Sequence, residues 1–104
     1  MDYYTFFVTV PNLEEGKKIA NLLIENKLAA CVNIIPNLIS IYWWEGKIER
    51  DNELLLIIKT TEKHCESIIQ KIGEVHGYSN PEWVAFKIEK GSQKYLDWID
   101  GVVA

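Results

Sequence analysis

Two long strand-like runs joined by a minimal turn constrain this chain more than any other feature. Ala30–Trp44 and Lys47–Thr60 are rich in β-branched and aromatic residues, and Glu45-Gly46 between them is a tight-turn signal. Pro36 interrupts the first run and marks a bend or a sheet edge, because proline cannot donate to a ladder. The second run is polar at first and then turns into a buried stretch, Leu54-Leu55-Leu56-Ile57-Ile58. Fifteen residues at about 3.3 Å each reach roughly 50 Å. A compact domain of this length has a radius of gyration of about 13 Å, so the hairpin tip must protrude. The tip carries Ile39, Ile41, Tyr42, Trp43 and Trp44. Two adjacent tryptophans on opposite faces of a lone ribbon make an apolar patch that calls for a partner.

The remaining elements follow from periodicity. Tyr3–Val10 reads as a strand ending at Pro11-Asn12. Asn12 caps a helix, with Glu15 in capping-box position, and Ile19, Ala20 and Leu23 recur at helical spacing through about Asn26. Thr61 is placed to cap a second helix with the stripe Cys65, Ile68, Ile69, Ile72 and Val75. A turn at Gly77 leads to a fourth strand, Trp83–Ile88. Gly91-Ser92 opens a short third helix with Tyr95, Trp98, Ile99 and Val102 on one face. The order β-α-β-β-α-β plus a terminal helix predicts an α+β, ferredoxin-like antiparallel sheet within a single domain, residues 1–104. The helices cover one face, and the other face is apolar enough to need a cover.

Composition narrows the function. The chain has 104 residues, 48% hydrophobic and 25% charged, with a formal net charge of -4. With Arg50 as its only arginine, it is a poor match for nucleic-acid phosphates. No apolar run approaches the roughly 20 residues of a membrane span. The start Met1-Asp2-Tyr3-Tyr4 lacks a basic leader region. The two cysteines, Cys31 and Cys65, are too few for a disulfide framework and read as reduced thiols. These points together predict a cytoplasmic protein.

Several blocks carry a family resemblance over nearly the whole chain. They are Thr9-Val10-Pro11-Asn12, Leu28-Ala29-Ala30-Cys31-Val32-Asn33-Ile34-Ile35-Pro36, Ser40-Ile41-Tyr42-Trp43-Trp44-Glu45-Gly46-Lys47 and Leu56-Ile57-Ile58-Lys59-Thr60-Thr61. His76-Gly77-Tyr78, Pro81-Glu82 and Tyr95-Leu96-Asp97-Trp98-Ile99 complete the set. In this order they resemble the divalent-ion tolerance family, CutA. The resemblance implies a homotrimer similar in architecture to the PII signalling proteins, with hairpins pairing across subunits through Tyr42, Trp43 and Trp44. It also implies a link to tolerance of copper or another divalent metal. The family pattern His-Pro-Tyr reads His76-Gly77-Tyr78 here, which predicts a less rigid turn. A Cys and a second His proposed as copper ligands in some members are replaced by Val8 and Val75, leaving His76.

The candidate metal ligands are therefore His76, Cys31 and Glu82, residue types that suit copper and zinc. His64 is adjacent to Cys65 on a helix and reads as exposed, with Cys65 in the core. A second constellation, Lys59, His76, Tyr78, Glu82 and Asn33, is expected to meet in a cleft between subunits, where a small ligand or a protein partner would bind. Lysine on a strand face among apolar residues needs a partner. No phosphate loop, nucleophile elbow or metalloprotease helix is present, so an enzyme is not expected.

Overall fold

A computed structural model describes residues 1–103. Strand β1 (Tyr3–Val10) leads through Asn12 into α1 (Leu13–Glu25). The Asn12 side chain accepts the Glu15 backbone N–H at 2.8 Å, as the cap signal predicts. The reciprocal half of the box is absent, since the Glu15 carboxylate is used elsewhere. Strands β2 (Cys31–Trp44) and β3 (Lys47–Thr61) form the long hairpin. Glu45 and Gly46 both have positive φ (50° and 78°), the pattern of a two-residue hairpin turn. A short 3-10 turn over Glu62–His64 precedes α2 (Cys65–Val75), followed by β4 (Trp83–Lys87) and α3 (Gln93–Val102). Thr61 ends β3 and makes no side-chain cap. Its neighbour Thr60 does the bonding, donating to the Leu28 carbonyl at 2.6 Å.

The four strands form one antiparallel sheet in the order β2-β3-β1-β4. The expected ferredoxin-like α+β architecture holds. Alternate residues of β1 and β3, including Phe6, Val8, Val10, Leu56 and Ile58, meet Ile19 and Leu23 of α1 and Ile68 and Ile72 of α2 in the main core. All of these are at most 1% exposed. Cys65 sits half-buried at its margin. His64 is half-buried rather than exposed, and its Nε2 is shut off from solvent without a partner among the described residues.

The second sheet face is covered only at one end. There Ile99 and Val103 pack on Tyr3 and Ala30, with Leu96 and Val102 alongside. Ile99 and Val102 of the predicted α3 stripe thus pack as expected, joined by Leu96 and Val103. Tyr95 and Trp98 stack on each other, 5.6 Å apart, and stay partly exposed. The contact with Tyr3 and Ala30 decides which neighbours of Ile99 are covered. The rest of this face shows Phe7, Ile35, Val84 and Phe86, each between 37% and 51% exposed. Beyond it the hairpin projects, stretching the molecule to 44 × 25 × 22 Å. Pro36 lies on an edge strand at a register shift between Ile35 and Leu38, with Asn37 at a φ of 64°.

Candidate functional site

Polar side chains gather where the hairpin leaves the sheet. The segment after α2 turns back over β1 and β3, and His76, 8% exposed, anchors it. The Tyr78 backbone N–H donates to His76 Nδ1 at 3.1 Å, so that nitrogen is unprotonated. His76 Nε2 then carries the proton and donates to the Thr9 carbonyl at 2.8 Å. The Tyr78 ring lies against the imidazole, with centroids 4.8 Å apart. Its hydroxyl donates to Glu53 Oε2 at 2.7 Å. Burial first, and the Glu53 carboxylate second, push the Tyr78 phenol well above its ordinary range. On the ribbon, the Tyr42 hydroxyl donates to Asp51, and this bond is the largest cause of a phenol pushed up to about 12. Glu82 reaches Thr9 from the start of β4, 3.5 Å from Oε2 to the hydroxyl, and its carbonyl accepts the Thr9 N–H at 3.3 Å.

Gly77 is held rather than loose. Its N–H donates to Glu15 Oε1 at 2.5 Å, tying the turn to the first turn of α1. This is where the Glu15 carboxylate goes instead of back to Asn12, and a proline at 77 would have no N–H to offer.

The expected five-residue cleft divides in two within a chain. His76, Tyr78 and Glu82 gather around Thr9. Lys59 and Asn33 meet on the open sheet face, where Lys59 Nζ donates to Asn33 Oδ1. Cys31 belongs to this second group, 3.7 Å from Asn33 Oδ1. Its sulfur also neighbours the Tyr95 phenol, which burial first and Cys31 second raise above its ordinary range. Thr9 pairs with Leu55 and Cys31 with Lys59, four residues further along β3, so the groups stand about 13 Å apart.

The predicted metal set does not fit an ion in one subunit. Cys31 lies with the wrong group. Both His76 nitrogens are engaged, leaving no free lone pair for a metal. Among the described residues no three His, Cys, Asp or Glu side chains converge.

Sequence reasoning missed Asp51 and Glu53. The signal was present: Asp51 and Glu53 continue the alternate row Leu55, Ile57, Lys59 of β3. Glu53 is only 5% exposed.

Fold and site define a ferredoxin-like α+β protein with an overlong central hairpin and a polar cluster at its base. The chain belongs to the CutA1 divalent ion tolerance protein family, whose model matches residues 4–102. It is similar to the chloroplastic CutA protein of Arabidopsis thaliana, 50% identical over 93 residues, 89% of this chain and 51% of the relative. The divalent-cation tolerance protein CutA of Thermus thermophilus is 46% identical over 92 residues, 88% of this chain and 89% of the relative. The chain spans about half the length of the plant relatives it matches. The crystal structure of CutA1 from Oryza sativa superposes with a TM-score of 0.96 at 44% identity, covering 100% of this chain and 95% of that one. The periplasmic divalent cation tolerance protein CutA of Archaeoglobus fulgidus superposes with a TM-score of 0.94 at 42% identity, covering 98% and 99%.

These relatives overturn the expected cytoplasmic location. Plant members are named chloroplastic and the Archaeoglobus protein periplasmic, so location varies within the family. Composition and thiol count report on the fold, whereas compartment is set by targeting segments that the folded domain does not need.

Proposed function

We propose that this chain serves divalent-cation tolerance as a homotrimeric binding protein rather than an enzyme, with 1–104 forming one domain. The observation that carries the reading is the uncovered apolar surface. Ile39, Ile41 and Trp43 on the ribbon are 64% to 72% exposed, and Phe7, Val84 and Phe86 on the open sheet face are also exposed. Neighbouring copies that lay their ribbons along these faces would bury both, with Tyr42, Trp43 and Trp44 at the contact. Copper is the divalent ion to test, and the engaged nitrogens of His76 argue that it binds through other groups.

Sedimentation equilibrium should give three times the 12.0 kDa subunit mass, and a monomer would overturn the assembly. Calorimetric titration of the trimer with copper should give the same isotherm for wild type and His76→Ala. Loss of binding in the variant would return His76 to the metal shell, and an absence of heat in both would retire direct binding.

A second reading rests on Lys59 and Asn33. Their bonded pair lies on the face that assembly would enclose, where a small ligand or a protein partner would meet it in the intersubunit cleft.

A further inference from the structure

We propose that the cross-strand row Thr5, Lys59 and Cys31, with Asn33 beside it, binds a small organic monocarboxylate. The proposal deepens the second reading above and rests on it. Three strands bring the groups together, since Lys59 pairs with Thr5 of β1 and with Cys31 of β2. Cross-strand partners project on the same side of a sheet, so these side chains share the second face. Tyr3 and Ala30, next to this row, lie under α3, and Tyr95 of α3 borders Cys31. The row therefore stands at the margin of the α3 cover, at the end of the sheet away from the ribbon.

The hydrogen-bond inventory sets the sign of the ligand. Asn33 Oδ1 accepts from Lys59 Nζ and lies 3.7 Å from the Cys31 sulfur, so this acceptor is in use. Lys59 can only donate, which fixes the amide orientation and leaves both Asn33 Nδ2 N–H groups available. Lys59 keeps two further N–H groups and pairs with no carboxylate among the described residues. Thr5 Oγ1 is shut off from solvent and has no hydrogen-bond partner among those residues. What remains is a set of donors around one positive charge. A buried hydroxyl without a partner is costly, and an oxygen that accepts from it removes that cost. In the bound state the flexible Lys59 stem turns toward the ligand, and one carboxylate oxygen reaches the Thr5 hydroxyl.

Three ligand classes can be compared. A cation would meet Lys59 and an acceptor already occupied. A phosphate-like polyanion calls for clustered cations or a bidentate arginine, and Lys59 stands alone here. A monocarboxylate matches the site, with one charge for Lys59 and two oxygens to share between Lys59 and the neutral donors.

The probe is isobutyrate, compared with its neutral isostere isobutyramide at constant ionic strength. The readout is the Asn33 side-chain amide and the backbone amides of Thr5, Cys31 and Lys59 in the labelled full chain, with the association state measured on the same sample. Isobutyrate should shift these signals saturably at about millimolar concentration, and isobutyramide should not. Lys59→Met, which keeps the apolar stem, should weaken isobutyrate about tenfold or more. Thr5→Val should weaken it roughly threefold while melting at or above the wild-type temperature, because it removes an unpartnered buried hydroxyl. A purely structural role for Thr5 would leave isobutyrate affinity unchanged in that variant. Equal shifts from the two probes would overturn the carboxylate and leave a ligand cleft standing. No saturable shift from either would overturn the cleft as well, and wild-type affinity in both variants would overturn the placement of the site.

Discussion

The helix-covered half of the sheet and the projecting hairpin are built from similar residues and end in opposite states. Phe6, Leu23, Ile58, Ile68 and Ile72 are fully buried between the sheet and two helices. Ile39, Ile41 and Trp43 are no less apolar, yet they stand mostly in solvent. Hydrophobic burial is roughly proportional to area removed from water, whichever chain removes it. The first half has already spent its apolar surface on folding, and the second keeps it for association. The polar cluster of His76, Tyr78 and Glu53 sits at the border between the two.

Three variants test this division. The largest effect is expected from removing both tryptophans of the ribbon. Trp43→Ala with Trp44→Ala should cost the assembled protein more than about 5 kcal/mol, above the range of a single aromatic truncation. The loss should deepen on dilution, because association depends on concentration. A double variant that melts like wild type at every concentration would mean the ribbon anchors no partner. Phe6→Ala is the counterpart in the covered half. It should cost about 3–5 kcal/mol in chemical denaturation, chiefly by destabilising the subunit itself. A smaller and more local loss is expected for Gly77→Pro, which removes the N–H bonded to Glu15. Its cost should be about 1–2 kcal/mol, with hydrogen-exchange protection falling around residues 76–82 first. A gain in stability there would show that turn stiffness outweighs the bond to α1.

Much of the covered half was legible in the sequence because its signals are local. Tyr3–Val10 is rich in aromatic and β-branched residues, and the strand ends at Pro11-Asn12 as read. Asn12 names its helix start, and the α2 stripe is buried on Ile68 and Ile72 as read. The long hairpin was legible from its length alone. What failed depended on contacts between distant segments. On α3, Ile99 and Val102 pack as read, but Tyr95 and Trp98 give way to Leu96 and Val103, which the contact with Tyr3 and Ala30 selects. Glu15 looked like a capping partner and is taken by Gly77, 62 residues away. Within one chain the five residues expected to meet between subunits fall into two groups, because Thr9 pairs with Leu55 rather than with Lys59, and no local pattern states that offset. Asp51 and Glu53 were passed over as solvated hairpin polarity, although the loop that covers Glu53 comes 25 residues later.

The irregularity at Pro36 and Asn37 has a consequence for everything beyond it. Between Ile35 and Leu38 the edge strand advances three residues while its partner advances two, from Leu55 to Glu53. Side chains alternate along a strand, so one surplus residue reverses the parity of the whole distal segment. With it, Tyr42 and Trp44 share a side with Glu49, Asp51 and Glu53, and Ile39, Ile41 and Trp43 take the other. A strand one residue shorter at this point would exchange the two rows, turning Trp43 toward the carboxylates and Tyr42 away from Asp51. The chemistry of the ribbon's two sides is thus written as a phase, set at a single step of the ladder.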